Sequence, residues 1–243
     1  MNHRKIADKR TQTEISEIFS SLQGEGPYLG VKQVFVRFGR CNMHCGYCDE
    51  LEKMREGKFS TVDLDDLVAR VAALETSEGP HHSVSLTGGE PFFYSAFLTN
   101  FLPALKARGL TTYLETNGTL TGALERHLPQ VDIVAMDIKP PSSTGDRPFW
   151  DEHRRFLEVA SRKKVFVKIV VTAGTTAEEI ERSVDIVAVV DRSIPFIFQP
   201  ETEMTGISLP ALDRIQSHFF ATASTRLKDV RVIPQMHKIW GVR

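Results

Sequence analysis

The three cysteines of the chain lie within one short segment, at Cys41, Cys45 and Cys48. Three thiolates on one loop in a C-x3-C-x2-C spacing can bind three irons of a cubane iron–sulfur cluster and leave the fourth iron without a protein ligand. A cluster that only carries electrons normally has four protein ligands, so an open iron indicates that a small molecule binds there. The spacing therefore predicts a 4Fe–4S site that performs chemistry.

Clustered thiols also serve other purposes in proteins. The odd number of cysteines and the length of the chain argue against a disulfide framework. A structural zinc site needs four closed ligands, and His44 would have to be the fourth although it adjoins Cys45. Inert buried cysteines are usually scattered singly in apolar runs. Spacing alone leaves a zinc site and a redox switch open beside the cluster.

The length, charge balance and composition of the chain indicate which kind of protein it is. The chain has 243 residues with 30 basic and 31 acidic side chains, and this balance gives no indication of a nucleic-acid partner. No apolar run approaches the length of a membrane span, so no membrane partner is expected. A polar extension is predicted at residues 1–13, without the apolar segment of a secretory signal. Free thiols then favour a cytoplasmic location, and the length favours one domain over residues 1–243.

Short apolar segments alternate with helical patterns along most of the chain. Strands are predicted at 15–22, 33–38, 83–87, 111–115, 131–137, 165–171, 194–199 and 230–233. Helices are predicted at 61–74, 97–108, 123–127, 150–161, 177–190 and 210–220, with Thr61 and Asp63 as candidate caps of the first. Alternation of this kind indicates an α/β protein built of parallel β/α units. Seven or so strands fit a partial or distorted (β/α) barrel better than a complete one.

Polar and glycine-rich segments follow several of these strands, at 23–26 (QGEG), 41–48, 87–91 (TGGEP), 115–118 (ETNG), 137–140 (DIKP) and 199–201 (QPE). β/α barrels gather their active sites at the carboxyl ends of the strands, so these segments predict one shared site. For some single residues the sequence leaves more than one role open. Arg37 suits a ligand carboxylate or a salt bridge, and Lys139 and Lys168 suit a ligand or Asp137 or a neighbouring Glu. His237 either reaches back over the site or lies on the surface.

The cysteines with Tyr47, followed by TGGEP at 87–91, resemble the signature of radical S-adenosylmethionine (SAM) enzymes. Four further segments make the chain similar to the 7-carboxy-7-deazaguanine synthase family: EIFSSLQGEGPYLG at 17–30, FVRFGRCNMHCGYCD at 35–49, DIKPPSS at 137–143 and VIPQMHKIWGVR at 232–243. The resemblance covers nearly the whole chain in order and implies a partial barrel of the radical SAM type.

The resemblance implies a lyase reaction with a 4Fe–4S cluster, SAM and Mg²⁺ as cofactors. A radical derived from SAM would abstract hydrogen from 6-carboxy-5,6,7,8-tetrahydropterin, whose ring contracts to 7-carboxy-7-deazaguanine with loss of ammonia. The product belongs to queuosine and other 7-deazapurine biosynthesis, a route of tRNA modification. A flavodoxin or ferredoxin as electron donor and a homodimer are implied as partners.

The resemblance also assigns residues. The SAM contacts would be Tyr47, Asp49, Gly89, Asp137, Ile138, Lys139, Gln199, Pro200, Glu201 and Thr202. The substrate contacts would be Leu22, Gln23, Gly24, Arg37, Thr87 and, through the chain end, Arg243. Glu50 stands where relatives usually carry the Ser or Thr hydroxyl that binds Mg²⁺, so it either becomes the ligand or changes the metal dependence. Arg243 stands where relatives often have Pro.

Two other functions are compatible with the cysteine motif. One is a different radical SAM enzyme, such as a glycyl-radical activase, whose substrate would be a protein. The QGEG turn and Arg37 ahead of the cluster loop favour a small carboxylated ligand instead. The other is a non-catalytic iron–sulfur or zinc protein, which has no need for glycine-rich turns after several successive strands.

Overall fold

A computed structural model describes residues 9–203 and 206–242, so the predicted substrate contact Arg243 lies outside the described residues. The strands are β1 (Gln12–Leu22), β2 (Lys32–Phe38), β3 (Ser60–Asp63), β4 (Ser83–Gly88), β5 (Thr112–Thr116), β6 (Ile133–Ile138), β7 (Lys164–Val171), β8 (Phe196–Pro200), β9 (Thr202–Glu203), β10 (Gly206–Ile207) and β11 (Val230–Val232). The helices are α1 (Leu51–Glu56), α2 (Leu64–Glu78), α3 (Ser95–Lys106), α4 (Thr121–His127), α5 (Pro141–Thr144), α6 (Trp150–Ala160), α7 (Ala177–Val190), α8 (Leu209–Arg214), α9 (Phe220–Ser224) and α10 (Met236–Trp240).

In the described ranges, nine strands form one sheet in the order β11-β8-β7-β6-β5-β4-β2-β1-β3. Neighbouring strands in this order are parallel from β11 as far as β2. Strand β1 is antiparallel to both of its neighbours, β2 and β3. The sheet is open between its edge strands β3 and β11, and β9 and β10 form a separate small pair. The predicted partial barrel is confirmed. The predicted single domain stays a prediction.

The central parallel strands are largely buried, as expected for a sheet that is covered by other elements. All six residues of β6 are buried. α3 packs its apolar face on the sheet through Phe97, Leu98, Phe101, Leu102 and Leu105, each fully buried. Burial of one such side chain contributes about 1.5–3 kcal/mol, so this layer holds the strand ends in fixed positions. No helix in the described part of the chain is long and apolar enough to cross a membrane.

Helix α7 matches its predicted bounds because its start is encoded locally. Thr176 Oγ1 accepts a hydrogen bond from the backbone N–H of Glu179 (3.2 Å), and Thr176 N donates to Glu179 Oε2 (2.9 Å). This reciprocal capping box satisfies two backbone donors that the first turn of a helix leaves unpaired.

The predicted helix 61–74 begins late, at Leu64, because residues 60–63 form β3. Val62 pairs with Thr13 of β1 and is buried, so pairing at the sheet edge overrides the helical pattern there. Asp63 precedes the helix, but its side chain accepts from Gln12 Nε2 (2.8 Å) and does not cap it. The predicted helix 210–220 is divided by a π-helical turn between α8 and α9.

His81 connects its own loop to β1 and to α2. Its Nε2 lies 2.8 Å from Ser20 Oγ on β1, and its Nδ1 lies 2.6 Å from Glu75 Oε2 near the end of α2. The side chain is 1% exposed. The bridge links β1 to the loop that leads from α2 into β4.

Candidate active site

A cavity of about 890 Å³, its open mouth included, lies at the carboxyl ends of the parallel strands. Its wall takes residues from β2, β4, β5, β6, β7 and β8: Arg37, Thr87, Glu115, Thr116, Asp137, Lys168, Val170 and Gln199. The loop after β2 adds all three cysteines. We refer to this space as the cluster cavity.

The cysteine loop is held by backbone hydrogen bonds. Gly46 N donates to Ser143 O (2.9 Å), and Cys48 N donates to Cys45 O (3.2 Å). The Nδ2 of Asn117, at the end of β5, lies 3.9 Å from Cys41 Sγ. The thiols are free and share one cavity, as the predicted cluster requires.

The donor set fits an iron–sulfur cluster better than zinc. Within residues 9–203 and 206–242, no three His, Cys, Asp or Glu side chains converge on a single ion position. A cubane offers a separate iron to each thiolate, so its ligands need not converge, whereas zinc draws four ligands to one point. Burial raises the pKa of all three thiols, that of Cys41 to about 12 with a further contribution from Glu90. Binding of iron would therefore release thiol protons.

The glycine turn after β4 packs against the cysteine loop. Gly88 has φ +109°, which only glycine adopts readily, and a Cβ on Gly89 would lie 1.9 Å from the carbonyl oxygen of Arg40. Gly89 N donates to Phe38 O (3.0 Å). The absence of side chains at 88 and 89 therefore lets the backbone of this turn approach both β2 and the cavity.

Glu90 points into the protein and not toward a ligand. Its carboxylate is fully buried and accepts from Phe92 N (3.1 Å), Thr116 Oγ1 (2.9 Å) and Asn117 N (2.9 Å). Burial raises the pKa of Glu90 to about 7 in spite of these hydrogen bonds. Glu90 thus joins the end of β4 to the end of β5 and orders the segment that carries Asn117.

The predicted SAM contacts divide into two groups. Those that line the cluster cavity are Tyr47, Asp49, Gly89, Asp137, Lys139 and Gln199. Those that do not are Ile138, Pro200, Glu201 and Thr202; Ile138 and Pro200 are buried in the sheet. Their roles stay predictions.

Lys139 belongs to a buried polar group on the cavity wall. Its Nζ lies 2.6 Å from Asp137 Oδ2 and 2.9 Å from the Tyr47 hydroxyl oxygen, and it lies over the Tyr47 ring. Burial opposes the charge, but Asp137 holds the pKa of Lys139 well above its usual value. Asp137 is therefore the charge partner that the fold supplies to Lys139.

Lys168 is paired in the same way. It forms an ion pair with Glu25 and lies 3.4 Å from Asp137 Oδ2. Glu25 also accepts from Gln199 Nε2 (3.2 Å) and Gln235 Nε2 (3.1 Å). Burial alone would raise the pKa of Glu25, but the charge and hydrogen bond of Lys168 lower it to about 2. Glu25 therefore joins the QGEG turn, β7, β8 and the segment that follows β11 at residues 233–242, which we call the C-terminal segment.

A second space of about 910 Å³, which we call the adjoining cavity, shares part of its wall with the first. It contains every predicted substrate contact that the structure describes: Leu22, Gln23, Gly24, Arg37 and Thr87. Arg37, Thr87 and Glu115 line both cavities. A ligand in the adjoining cavity would therefore lie next to one in the cluster cavity.

The QGEG turn reaches this site by a route that the strand pattern did not predict. Because β1 is antiparallel to β2, Leu22 pairs with Lys32 and the turn lies beside the amino end of β2, not at the shared carboxyl edge. The side chains nevertheless extend inward. Gln23 Nε2 donates to Glu115 Oε1 (3.0 Å), and Glu115 Oε2 accepts from Thr87 Oγ1 (2.7 Å).

The guanidinium of Arg37 has N–H donors that an anionic ligand could use. Its Nε is 3.8 Å from Glu17 Oε2 and its Nη1 is 3.6 Å from Glu50 Oε1, both longer than a hydrogen bond. The Nε is buried and, among the described residues, has no hydrogen-bond partner. The guanidinium lies over the Phe19 ring, 5.6 Å from its centre, which fixes its direction. A ligand carboxylate would satisfy these donors.

The C-terminal segment covers the adjoining cavity. Met236 N donates to Gly24 O (2.9 Å), and a Cβ on Gly24 would lie 2.5 Å from His237 Nδ1. Lys238 Nζ lies 2.8 Å from Asp49 Oδ1 beside the cysteine loop. His237 thus reaches the site. The short helix α10 that carries it was missed, since its five residues show no apolar period.

Comparison with known proteins agrees with this geometry. A family model described as the Radical SAM superfamily matches residues 35–187. The 7-carboxy-7-deazaguanine synthase of Geobacter sulfurreducens is 42% identical over 94% of this chain and 97% of its own length. The chain belongs to the 7-carboxy-7-deazaguanine synthase family.

A second relative and a solved structure are similar to this chain over nearly its whole length. The 7-carboxy-7-deazaguanine synthase of Methanothermobacter thermautotrophicus is 33% identical over 94% of this chain and 97% of its own length. The crystal structure of QueE from Escherichia coli superposes with a TM-score of 0.61 at 21% identity, covering 92% of this chain and 94% of that one. Radical SAM membership implies a 4Fe–4S cluster and SAM as the cofactors.

Proposed function

We propose that the protein converts 6-carboxy-5,6,7,8-tetrahydropterin to 7-carboxy-7-deazaguanine with loss of ammonia, as a radical SAM lyase of 7-deazapurine biosynthesis. The observation that carries the proposal is that the cluster cavity and the adjoining cavity share part of their wall. One contains three free thiols, and the other contains an arginine whose buried Nε has no hydrogen-bond partner among the described residues.

The cluster cavity would bind the cofactors. Cys41, Cys45 and Cys48 would hold the 4Fe–4S cluster, and the lining residues Tyr47, Asp49, Gly89, Asp137, Lys139 and Gln199 would surround SAM. When bound, the cluster and SAM supply a 5′-deoxyadenosyl radical. The paired charges of Lys139, Asp137, Lys168 and Glu25 give the cavity wall a fixed polar arrangement.

The adjoining cavity would bind the pterin. Arg37 would donate to its carboxylate, while Glu115 offers acceptor oxygens, already ordered by Gln23 and Thr87, to the N–H groups of the ring. Leu22 and Gly24 would contact the ring from the turn. The C-terminal segment would restrict the entry of water, because His237 packs directly on Gly24.

Further predictions accompany this function. A flavodoxin or ferredoxin as electron donor, a homodimer and a cytoplasmic location are implied by the resemblance and by the free thiols, and they stay predictions. Binding of Mg²⁺ at Glu50 also stays a prediction. The side chains around Glu50 do not fit a divalent cation, because two protein cations already lie beside the same carboxylate oxygen.

The test of the substrate assignment is Arg37→Met, with the exposed Arg55→Met on α1 as the matched control. A charge-assisted hydrogen bond contributes about 1.5–3 kcal/mol, so kcat/KM for the carboxypterin should fall roughly 10- to 150-fold. The 4Fe–4S absorbance should be unchanged, and Arg55→Met should resemble wild type. A wild-type kcat/KM in Arg37→Met would show that Arg37 does not bind the substrate.

A further inference from the structure

Both oxygens of the Glu50 carboxylate already have partners. Oε1 lies 3.1 Å from Lys53 Nζ and 3.6 Å from Arg37 Nη1, and Oε2 accepts from Ser16 Oγ at 3.2 Å. Glu50 is 8% exposed. This is a buried anion that the fold neutralises with its own cations.

These partners are a poor environment for Mg²⁺. That ion requires near-octahedral oxygen ligands at about 2.0–2.1 Å and keeps several of its waters. A Mg²⁺ on Oε1 would lie beside the ammonium of Lys53 and the guanidinium of Arg37, and like charges at such separations repel. Either the metal or Lys53 can neutralise Glu50, but not both in this arrangement.

The position of Lys53 is encoded locally. Glu50 is the residue that precedes α1, immediately after the cysteine loop, and Lys53 lies in the first turn of that helix. Residues three apart on a helix face each other, so the E-x-x-K spacing places the ammonium over the carboxylate. Lys53 is 45% exposed at its side chain and lines the adjoining cavity together with Arg37 and Glu50.

We propose that the ammonium of Lys53, held by Glu50, is the built-in cation that faces the substrate carboxylate beside Arg37, so that this protein does not require Mg²⁺. The inference rests on the proposed function. Within this group of four side chains, the charges of Glu17 and Glu50 are balanced by those of Arg37 and Lys53 before the ligand binds. The carboxylate then meets two cations already in place, as it would meet an arginine and a metal.

The experiment uses cluster-loaded protein treated with a chelator and returned to metal-free buffer. Wild-type turnover should change less than twofold between no Mg²⁺ and saturating Mg²⁺. Lys53→Met should raise KM for the carboxypterin at least tenfold without Mg²⁺, while SAM affinity stays within twofold. Lys58→Met removes an exposed lysine that is paired with Glu56, and it should resemble wild type.

A double variant, Glu50→Thr with Lys53→Met, supplies a hydroxyl and removes the ammonium. Its turnover should rise at least tenfold on addition of Mg²⁺. Binding of Mn²⁺, followed by electron paramagnetic resonance with substrate and SAM present, gives a readout that does not depend on turnover. Wild type should leave Mn²⁺ free, and the double variant should bind it.

Stimulation of wild type more than tenfold by Mg²⁺, or stoichiometric binding of Mn²⁺ that Glu50→Gln abolishes, would overturn the inference. A wild-type enzyme that forms no deazaguanine at any metal concentration would instead overturn the proposed function. In that case the Mn²⁺ titration still decides whether Glu50 binds a divalent cation.

Discussion

Replacement of Lys168 by Met would leave Glu25 as a buried carboxylate without its counter-ion. The Glu25 side chain is 16% exposed and that of Lys168 is 12% exposed, so water cannot replace the lost partner well. The fall of the Glu25 pKa from 4.5 to about 2 corresponds to roughly 3 kcal/mol of stability. Removal of one partner of a buried ion pair typically costs about 3–5 kcal/mol, which agrees with this value.

The measurement is thermal unfolding of cluster-loaded protein under anaerobic conditions at pH 7. For a chain of this size 1 kcal/mol shifts Tm by about 2–4 °C, so Lys168→Met should lower Tm by roughly 6–12 °C. Adding Glu25→Gln should restore at least half of the loss, because no unpaired charge then remains. Arg154→Met breaks the exposed pair with Glu158 and should change Tm by less than about 3 °C.

The same pair predicts a pH dependence with a definite sign. The pKa of Glu25 is lower in the folded protein than in the unfolded chain, so its contribution to stability is complete above pH 4.5 and is lost as the pH falls toward 2. Without Lys168, burial raises the pKa of Glu25 instead, so the difference in unfolding free energy between wild type and Lys168→Met should shrink as the pH falls toward 2. A difference that is independent of pH, or a single variant as stable as wild type, would refute this reasoning.

Two further variants test the packing around the site. His81→Ala removes two side-chain hydrogen bonds of a buried imidazole and leaves Glu75 without that partner. The free energy of unfolding, measured by chemical denaturation, should therefore fall by about 1–3 kcal/mol. An unchanged free energy would show that these hydrogen bonds do not stabilise the fold. Gly24→Ala would force its Cβ within 2.5 Å of His237 and displace the C-terminal segment, so KM for the carboxypterin should rise at least tenfold. Gly122→Ala, which meets nothing within 4 Å, is the control, and an equal effect of both variants would contradict the contact.

Much of the fold follows from patterns that are local in the sequence. The strand predicted at 33–38 is β2, because a run of apolar residues with Val34 and Val36 suits a sheet covered on both faces. α7 is bounded as predicted because Thr176 and Glu179 encode its start. The pairing of residues 60–63 with β1 depends on contacts distant in sequence, and local periodicity therefore assigned them to a helix.

The site likewise combines features that are local in the sequence with contacts between residues that are distant in it. The cysteine spacing and the TGGEP turn identify the cluster cavity, since a few adjacent residues carry that chemistry. The contact of Gln23 with Glu115 was not predictable, because it depends on β1 entering antiparallel to β2. The contact of Lys53 with Glu50 was not predictable either, because it depends on α1 beginning directly after the cysteine loop.

One anaerobic reaction tests the proposed activity directly. Protein reconstituted with iron and sulfide is incubated with a reductant, SAM and 6-carboxy-5,6,7,8-tetrahydropterin, and the products are identified by mass spectrometry. We expect 7-carboxy-7-deazaguanine together with an equal amount of ammonia. An unchanged pterin with accumulation of 5′-deoxyadenosine would instead indicate a radical SAM enzyme with a different substrate, and stoichiometric zinc without a cluster would contradict the account altogether.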